Sequence, residues 1–167
     1  MLEPVSMSAL DDLHEYSIQP ELYRYLEFDS FTSVDETQDY LKKLIARSKL
    51  DLSQYWFIRL LDEDKVVGSI GAHSLDVARG SIEVGYGVSP AYWGRGIFTA
   101  AAKILMDYIF NDLKLHRIVA RTAVENVGSI KSLEKLKFKS EGIMRDYYKF
   151  SDASWHDAVL MSRLSTD

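Results

Sequence analysis

The spacing of apolar and polar positions divides the chain into helical and extended stretches. In "SMSALDDLHEYSI", a serine start precedes Leu10, Leu13 and Ile18 on roughly one side, which predicts a first helix. "SVDETQDYLKKLIARS" predicts a second. Ser33 can cap it, acids fill its first turn, and Lys42, Lys43 and Arg47 fill its later turns, as the helix dipole favours. "QYWFIRLL" then reads as a strand, "DEDK" as a turn and "VVGSIGAHSL" as the hairpin partner. "GSIEVGYGVS" adds a third strand to this meander. It alternates Ile82, Val84, Tyr86 and Val88 on one face against Glu83, Gly85 and Gly87 on the other. "IFTAAAKILMDYIFNDL" lines Ile97, Ala101, Ile104, Leu105, Tyr108 and Ile109 along one helical stripe. "HRIVARTAV" is a strand and "NVGSIKSLEKLKF" a short helix opened by Asn126. "SEGIMRDYYKF" and "SWHDAVLMSRL" form a closing hairpin around "SDA".

The order is helices, antiparallel meander, helix, strand, helix and hairpin. The strand–helix–strand unit in the middle predicts a local parallel pair inside a mixed sheet, so the class is α+β rather than doubly wound. At 167 residues, with 47% hydrophobic and 27% charged, the chain suits a single domain spanning 1–167.

The formal charge of -5 argues against a nucleic-acid coat or a polybasic membrane anchor. Without cysteine there is no disulfide, no thiol nucleophile and no thiolate metal site. The acidic start "MLEPVSMSALDDLHEY" is not a signal peptide, and no run approaches the ~20 apolar residues of a membrane span. A cytoplasmic protein is expected, with neither nucleic acid nor membrane as partner.

Candidate chemistry narrows to one place. Gly85 and Gly87 begin a G-x-G-x-x-P run, a poor dinucleotide fingerprint that instead suggests a bulge or a close backbone approach. There is no phosphate loop of the G-x-x-x-x-G-K-[ST] type. His14, His73, His116 and His156 are scattered without metal-ligand spacing, so no metal is expected. "WGRG" is different, because it opens a helix. Gly94 and Gly96 allow successive N–H groups to converge, the first N–H groups of the helix lack internal partners, and Arg95 adds positive charge. The result is an anion site or, more plainly, a tight turn before a capped helix.

The surroundings of this turn decide between the two. The layout resembles the GNAT superfamily of acyl-CoA-dependent N-acetyltransferases, in which a Q/R-x-x-G-x-G/A loop and helix N-terminus hold the CoA pyrophosphate. Trp93, Gly94, Arg95, Gly96, Ile97 and Phe98 form the corresponding segment. Gly96 matches, while Trp93 replaces Gln/Arg and Phe98 the small last residue. "ENVGSIKSLEKLKFKSEG" is similar to N-x-x-[SA]…E-K-x-G-F-x-x-E-G through Asn126, Ser129, Glu134, Lys135, Phe138, Glu141 and Gly142, with Lys137 in place of Gly. Together with "HRIVA" and "WHDAVLMS", the combination resembles the RimJ/RimL-like, ribosomal-protein N-terminal acetyltransferase subgroup from about Leu2 to Leu164. The family's first strand would be short here.

The resemblance implies a mixed central sheet splayed in the middle, flanked by helices, with acetyl-CoA as cosubstrate. It places the pantetheine along Glu83–Val88, including Tyr86 and Gly87, with the Val88 N–H as oxyanion donor. Glu83 stands where many relatives carry a strand carboxylate as base, and is otherwise a polar residue of an alternating strand. The usual helix Tyr is Leu133, so Ser129 is the candidate acid, or a plain helix-start serine. A carboxylate common in the penultimate strand is Tyr148. Tyr147, Tyr148 and Trp155 are candidates to line the acceptor pocket, or to pack the sheet. Asn126 and Lys131 are candidates for contact with the CoA arm and phosphates.

The expected activity is direct acetyl transfer to a primary amine, a protein N-terminal α-amine being favoured. A polyamine, amino sugar or antibiotic amine is the alternative acceptor, and a non-catalytic acyl-CoA sensor the alternative role. An unrelated nucleotide-binding domain is the weakest competitor. Monomer and homodimer are both compatible with the sequence.

Overall fold

A computed structural model describes residues 1–49 and 53–167. Its strands join one sheet in the order β1-β2-β3-β4-β5-β7-β6. These are β1 (Leu2–Pro4), β2 (Gln54–Leu60), β3 (Lys65–Asp76), β4 (Ser81–Val88), β5 (Arg117–Ala123), β6 (Lys139–Lys149) and β7 (Trp155–Leu164). The helices are α1 (Leu10–Ser17), α2 (Pro20–Tyr23), α3 (Val34–Arg47), α4 (Ile97–Asp107) and α5 (Val127–Lys135). Among the described residues only β4 and β5 pair in parallel; the other neighbours are antiparallel. The α+β class and mixed sheet expected from the element order are therefore observed.

Both faces of the sheet are covered. Ile82, Val84 and Val88 of β4, with Ile118 and Ala120 of β5, pack under Ala101, Ala102 and Leu105 of α4 and Leu133 of α5. On the other face, Phe57 and Val66 meet Leu13 and Tyr16 of α1 and Leu41 and Leu44 of α3. The α3 start is fixed as its sequence suggests. The Ser33 hydroxyl accepts the Glu36 N–H at 3.2 Å, and the Glu36 carboxylate accepts the Thr32 N–H at 2.7 Å.

Two predicted stripes differ in detail. Ile18 is 44% exposed because α1 ends at Ser17, and Tyr16 is buried instead. Ile104 is 53% exposed. At ~100° per residue it falls outside the arc of Ala101, Ala102, Leu105, Met106 and Ile109, all buried. After Asp107 the helix also widens into a π-type turn over Tyr108–Asp112. The glycine pair of β4 marks neither a bulge nor a tight approach. The ladder shift lies between His73 and Asp76. The crowded glycines are Gly68, against the Gly87 carbonyl, and Gly71, against the Tyr55 ring.

Candidate active site

The parallel pairing of β4 with β5 covers only Ser81↔Arg117, Ile82↔Ile118 and Glu83↔Val119. Beyond it, β4 runs on against β3 and β5 against β7, so a gap opens between them. The backbone facing this gap follows from alternation. Ser89 N–H bonds the Val67 carbonyl of β3 at 2.8 Å, and the Gly80 carbonyl accepts the Arg117 N–H of β5 at 3.0 Å. Residues of even number therefore turn their N–H and C=O toward β5. For Tyr86 and Val88 these groups enter the gap.

The turn before α4 sits at the end of this gap. Gly94 and Gly96 both hold φ of +75°, a conformation other residues adopt only with strain, and a Cβ at either would meet nothing within 4 Å. The first backbone bond of the helix is Ala100 N–H to the Gly96 carbonyl at 3.0 Å. Among the described residues, the N–H groups from Gly94 to Thr99 have no backbone acceptor. The open run of donors expected of an anion seat is thus present. Arg95 leans back over the Tyr92 ring, 4.9 Å from its centroid, with Nη2 3.4 Å from Glu63. The Trp93 indole donates to the Val88 carbonyl at 2.7 Å.

On the α4–α5 side, Tyr86 spans the gap. Its ring stacks on Phe98 with centroids 3.5 Å apart, and its hydroxyl lies 2.8 Å from Ser129 Oγ. Burial pushes the Tyr86 phenol up to about 12, against the opposing pull of the Ser129 bond. Asn126 caps α5 by accepting the Ser129 N–H at 3.1 Å. Lys131 is exposed on the same helix.

On the α1–α2 side, Glu83 lies at the point where the two strands part. Its carboxylate is 2.9 Å from Arg121 Nη2, and Arg121 also bonds the Tyr147 hydroxyl. Tyr147 packs edge-on to Tyr148 at 4.9 Å. Burial pushes the Tyr148 phenol up to about 12, with Tyr147, Glu83 and Glu27 adding to the rise. Glu27 itself accepts the Lys149 N–H at 3.4 Å, joining the α2–α3 loop to the β6–β7 hairpin. A Cβ on Gly85 or Gly87 would meet only His73 Nε2 at 3.5 Å or Leu22 Cδ1 at 3.7 Å, so this face of β4 is bare without being crowded.

Residues 1–139 match the acetyltransferase (GNAT) domain family. The chain belongs to that family. The N-acetyltransferase p20 of Bacillus licheniformis is 33% identical over 148 residues, covering 89% of this chain and 83% of p20. The spermidine N(1)-acetyltransferase of Escherichia coli K12 is 27% identical over 161 residues, 96% of this chain and 83% of that protein. Mycobacterium smegmatis RimJ, solved in complex with CoA-disulfide, superposes with a TM-score of 0.88 at 25% identity, covering 99% of this chain and 81% of RimJ. The protein is an N-acetyltransferase of the GNAT type.

The residues of this GNAT acetyltransferase fit a CoA thioester on their own chemistry. A run of open N–H groups suits its phosphates, and the gap-facing peptide groups of Tyr86 and the N–H of Val88 suit its chain of amides, the Val88 carbonyl being taken by the Trp93 indole. The residues expected at the site fall into three groups. Glu83 and Tyr147 are joined through Arg121, and Tyr148 packs on Tyr147. Tyr86, Phe98, Asn126 and Ser129 are joined across the gap, and Val88 is tied to Trp93. Trp155 stands outside these groups: it is exposed, with Lys149 Nζ 5.6 Å from its ring centroid. Leu133, at the position of the usual tyrosine, is fully buried in the core.

Arg121 was absent from the expected set. Its signal was the alternation of "RIVARTA", which puts it on the face opposite Ile118 and Ala120. Meeting Glu83 depends on the parallel register. A cavity lies at the β1–β2 edge, lined by Leu2, Ile45, Trp56 and Tyr108, strands away from the gap. Among the described residues it has no carboxylate in its lining, and the chemistry above does not use it.

Proposed function

We propose that this enzyme transfers acetyl from acetyl-CoA directly to a primary amine, a protein N-terminal α-amine being the favoured acceptor. The observation that carries this reading is the carboxylate of Glu83 at the fork of β4 and β5, on the bare face of the strand. An α-amine with a pKa of ~8 is largely protonated at neutral pH, so a base beside the thioester speeds attack. Glu83 takes this proton directly or through water, with Arg121 and Tyr147 holding its side chain. The Val88 N–H donates to the thioester oxygen as negative charge builds there. Ser129, beside Tyr86, donates to the departing sulfur, the role that a buried Leu133 cannot take.

Gly94–Phe98 seats the phosphates, with Arg95 and Lys131 adding charge, and Asn126 sets the start of α5. Tyr147 and Tyr148 wall the acceptor side. Likeness to RimJ and the bare face of Gly85 and Gly87 support a peptide acceptor. A polyamine is the second reading. It is supported by the Glu27 carboxylate beside Tyr148 and by the likeness to the spermidine enzyme.

Thiol release from acetyl-CoA over N-terminal peptides, spermidine and an amino sugar tests both. The expected result is turnover with peptides that disappears when the α-amine is blocked. Turnover with spermidine alone would replace the first acceptor by the second. CoA binding with no turnover on any amine would contradict transfer.

A further inference from the structure

We propose that Trp93 is a positioning residue that joins the phosphate-binding turn to the oxyanion donor of Val88; this rests on the acetyl-transfer reading above. Val88 is the last residue of β4, and its C=O points into the gap along with its N–H. In a continuous sheet β5 would supply a donor for that carbonyl. Here the pairing of β4 with β5 has already ended at Glu83↔Val119. The Trp93 indole supplies the missing donor, at 2.7 Å.

Packing covers only part of the ring, which is 53% exposed, and a large apolar side chain gains stability mainly by leaving water. The bond to Val88 fixes its orientation. Trp93 also immediately precedes Gly94, so the indole belongs to the same turn whose open N–H groups follow. The Val88–Ser89 peptide is thus held from both sides, by Trp93 at its carbonyl and by the Val67 carbonyl at the Ser89 N–H, 2.8 Å, which keeps Val88 extended and its own N–H turned to the gap. The two ends of the ligand site, phosphate and thioester, are thereby linked through one side chain.

During transfer the amine nitrogen forms a bond to the acetyl carbon, the C–S bond breaks, and its electron pair leaves with sulfur. Glu83 receives the amine proton, and the thiolate is reprotonated. Charge passes through the acetyl oxygen, where the Val88 N–H acts. Trp93 touches none of these atoms.

The test is Trp93→Phe, which keeps a ring and removes the N–H, with Trp93→Leu as a second variant. The expected result is a kcat lower by about tenfold, the worth of one well-aimed hydrogen bond, with CoA affinity and acceptor KM little changed. The infrared carbonyl stretch of bound carbon-13 acetyl-CoA should also move back toward its solution frequency. A residue that only shaped the fold would not move that frequency selectively. Unchanged kcat and frequency would overturn the proposal. Weaker CoA binding with kcat intact at saturation would also overturn it, making Trp93 a ligand contact only. If the unaltered protein binds acetyl-CoA but acetylates nothing, the transfer reading fails, and the carbonyl frequency still decides the role of Trp93. No binding of acetyl-CoA overturns both.

Discussion

Glu83 and Tyr86 are three residues apart on one strand and face opposite sides of the sheet, so they serve different halves of the reaction. Glu83→Gln keeps the shape and removes the base. Its kcat should fall about a hundredfold, with CoA affinity unchanged by calorimetry. Tyr86→Phe keeps the stack on Phe98 and loses the bond to Ser129. A fall in kcat of roughly threefold to tenfold is expected from one lost hydrogen bond. Because burial raises the Tyr86 phenol to about 12 from 10.0, it stays neutral through the alkaline range in which an ordinary tyrosine ionises. The pH–rate profile up to about pH 10 should therefore have the same alkaline limb in enzyme and variant. The facing of both residues was legible in the alternation of "SIEVGYGV". The Glu83–Arg121 pair was not, because it depends on the register of two parallel strands far apart in sequence.

Among the elements, α5 shows most clearly how a departure in sequence becomes a structural cost. Its end is a Schellman turn: Phe138 N–H bonds the Leu133 carbonyl at 3.1 Å, and Lys137 N–H bonds that of Glu134 at 2.8 Å. Lys137 sits at the left-handed position with φ of +64°, and the flanking Leu133 and Phe138 are buried. The family pattern has glycine there, and the geometry supplies the reason. Lys137→Gly should stabilise the protein by ~0.5–1 kcal/mol, read as a higher midpoint in urea. The α4 turn predicts the opposite sign. Gly96→Val places a β-branched residue at φ of +75°, which costs ~1–2 kcal/mol and displaces N–H groups of the phosphate seat. Stability and CoA affinity should fall together. Helix starts were readable from Ser33 and Asn126, whose caps are local. The π-type turn after α4 and the exposure of Ile104 were not, because they depend on how the helix settles on the sheet.

At the scale of the whole molecule, the order of elements was enough to expect a mixed sheet with one parallel pair. The gap inside it is implied by the family resemblance but not by the residue pattern itself, because it consists of pairings that end early. The strands beyond the gap are held by a polar clasp. Glu141 of β6 pairs with Arg117 of β5 and accepts the Ser162 hydroxyl of β7 at 2.6 Å. The Arg117 bond, and then that of Ser162, hold the Glu141 carboxyl below its ordinary range. A lowered folded-state pKa contributes stability at neutral pH that is lost as pH falls through that value. Glu141→Gln should therefore be less stable at pH 7 by ~1 kcal/mol, with the difference shrinking on acidification. Urea unfolding at pH 7 and pH 3 would show this, and an unchanged difference would argue against the clasp.

The central claim is that acetyl-CoA lies in the gap with its phosphates on the α4 turn, and a crystal structure with bound CoA tests it most directly. The account predicts diphosphate oxygens within hydrogen-bond reach of N–H groups between Gly94 and Phe98, and the pantetheine chain paired with Tyr86 and Val88. CoA seated elsewhere, as in the apolar groove of Leu2, Trp56 and Tyr108, or making no contact with β4, would contradict it.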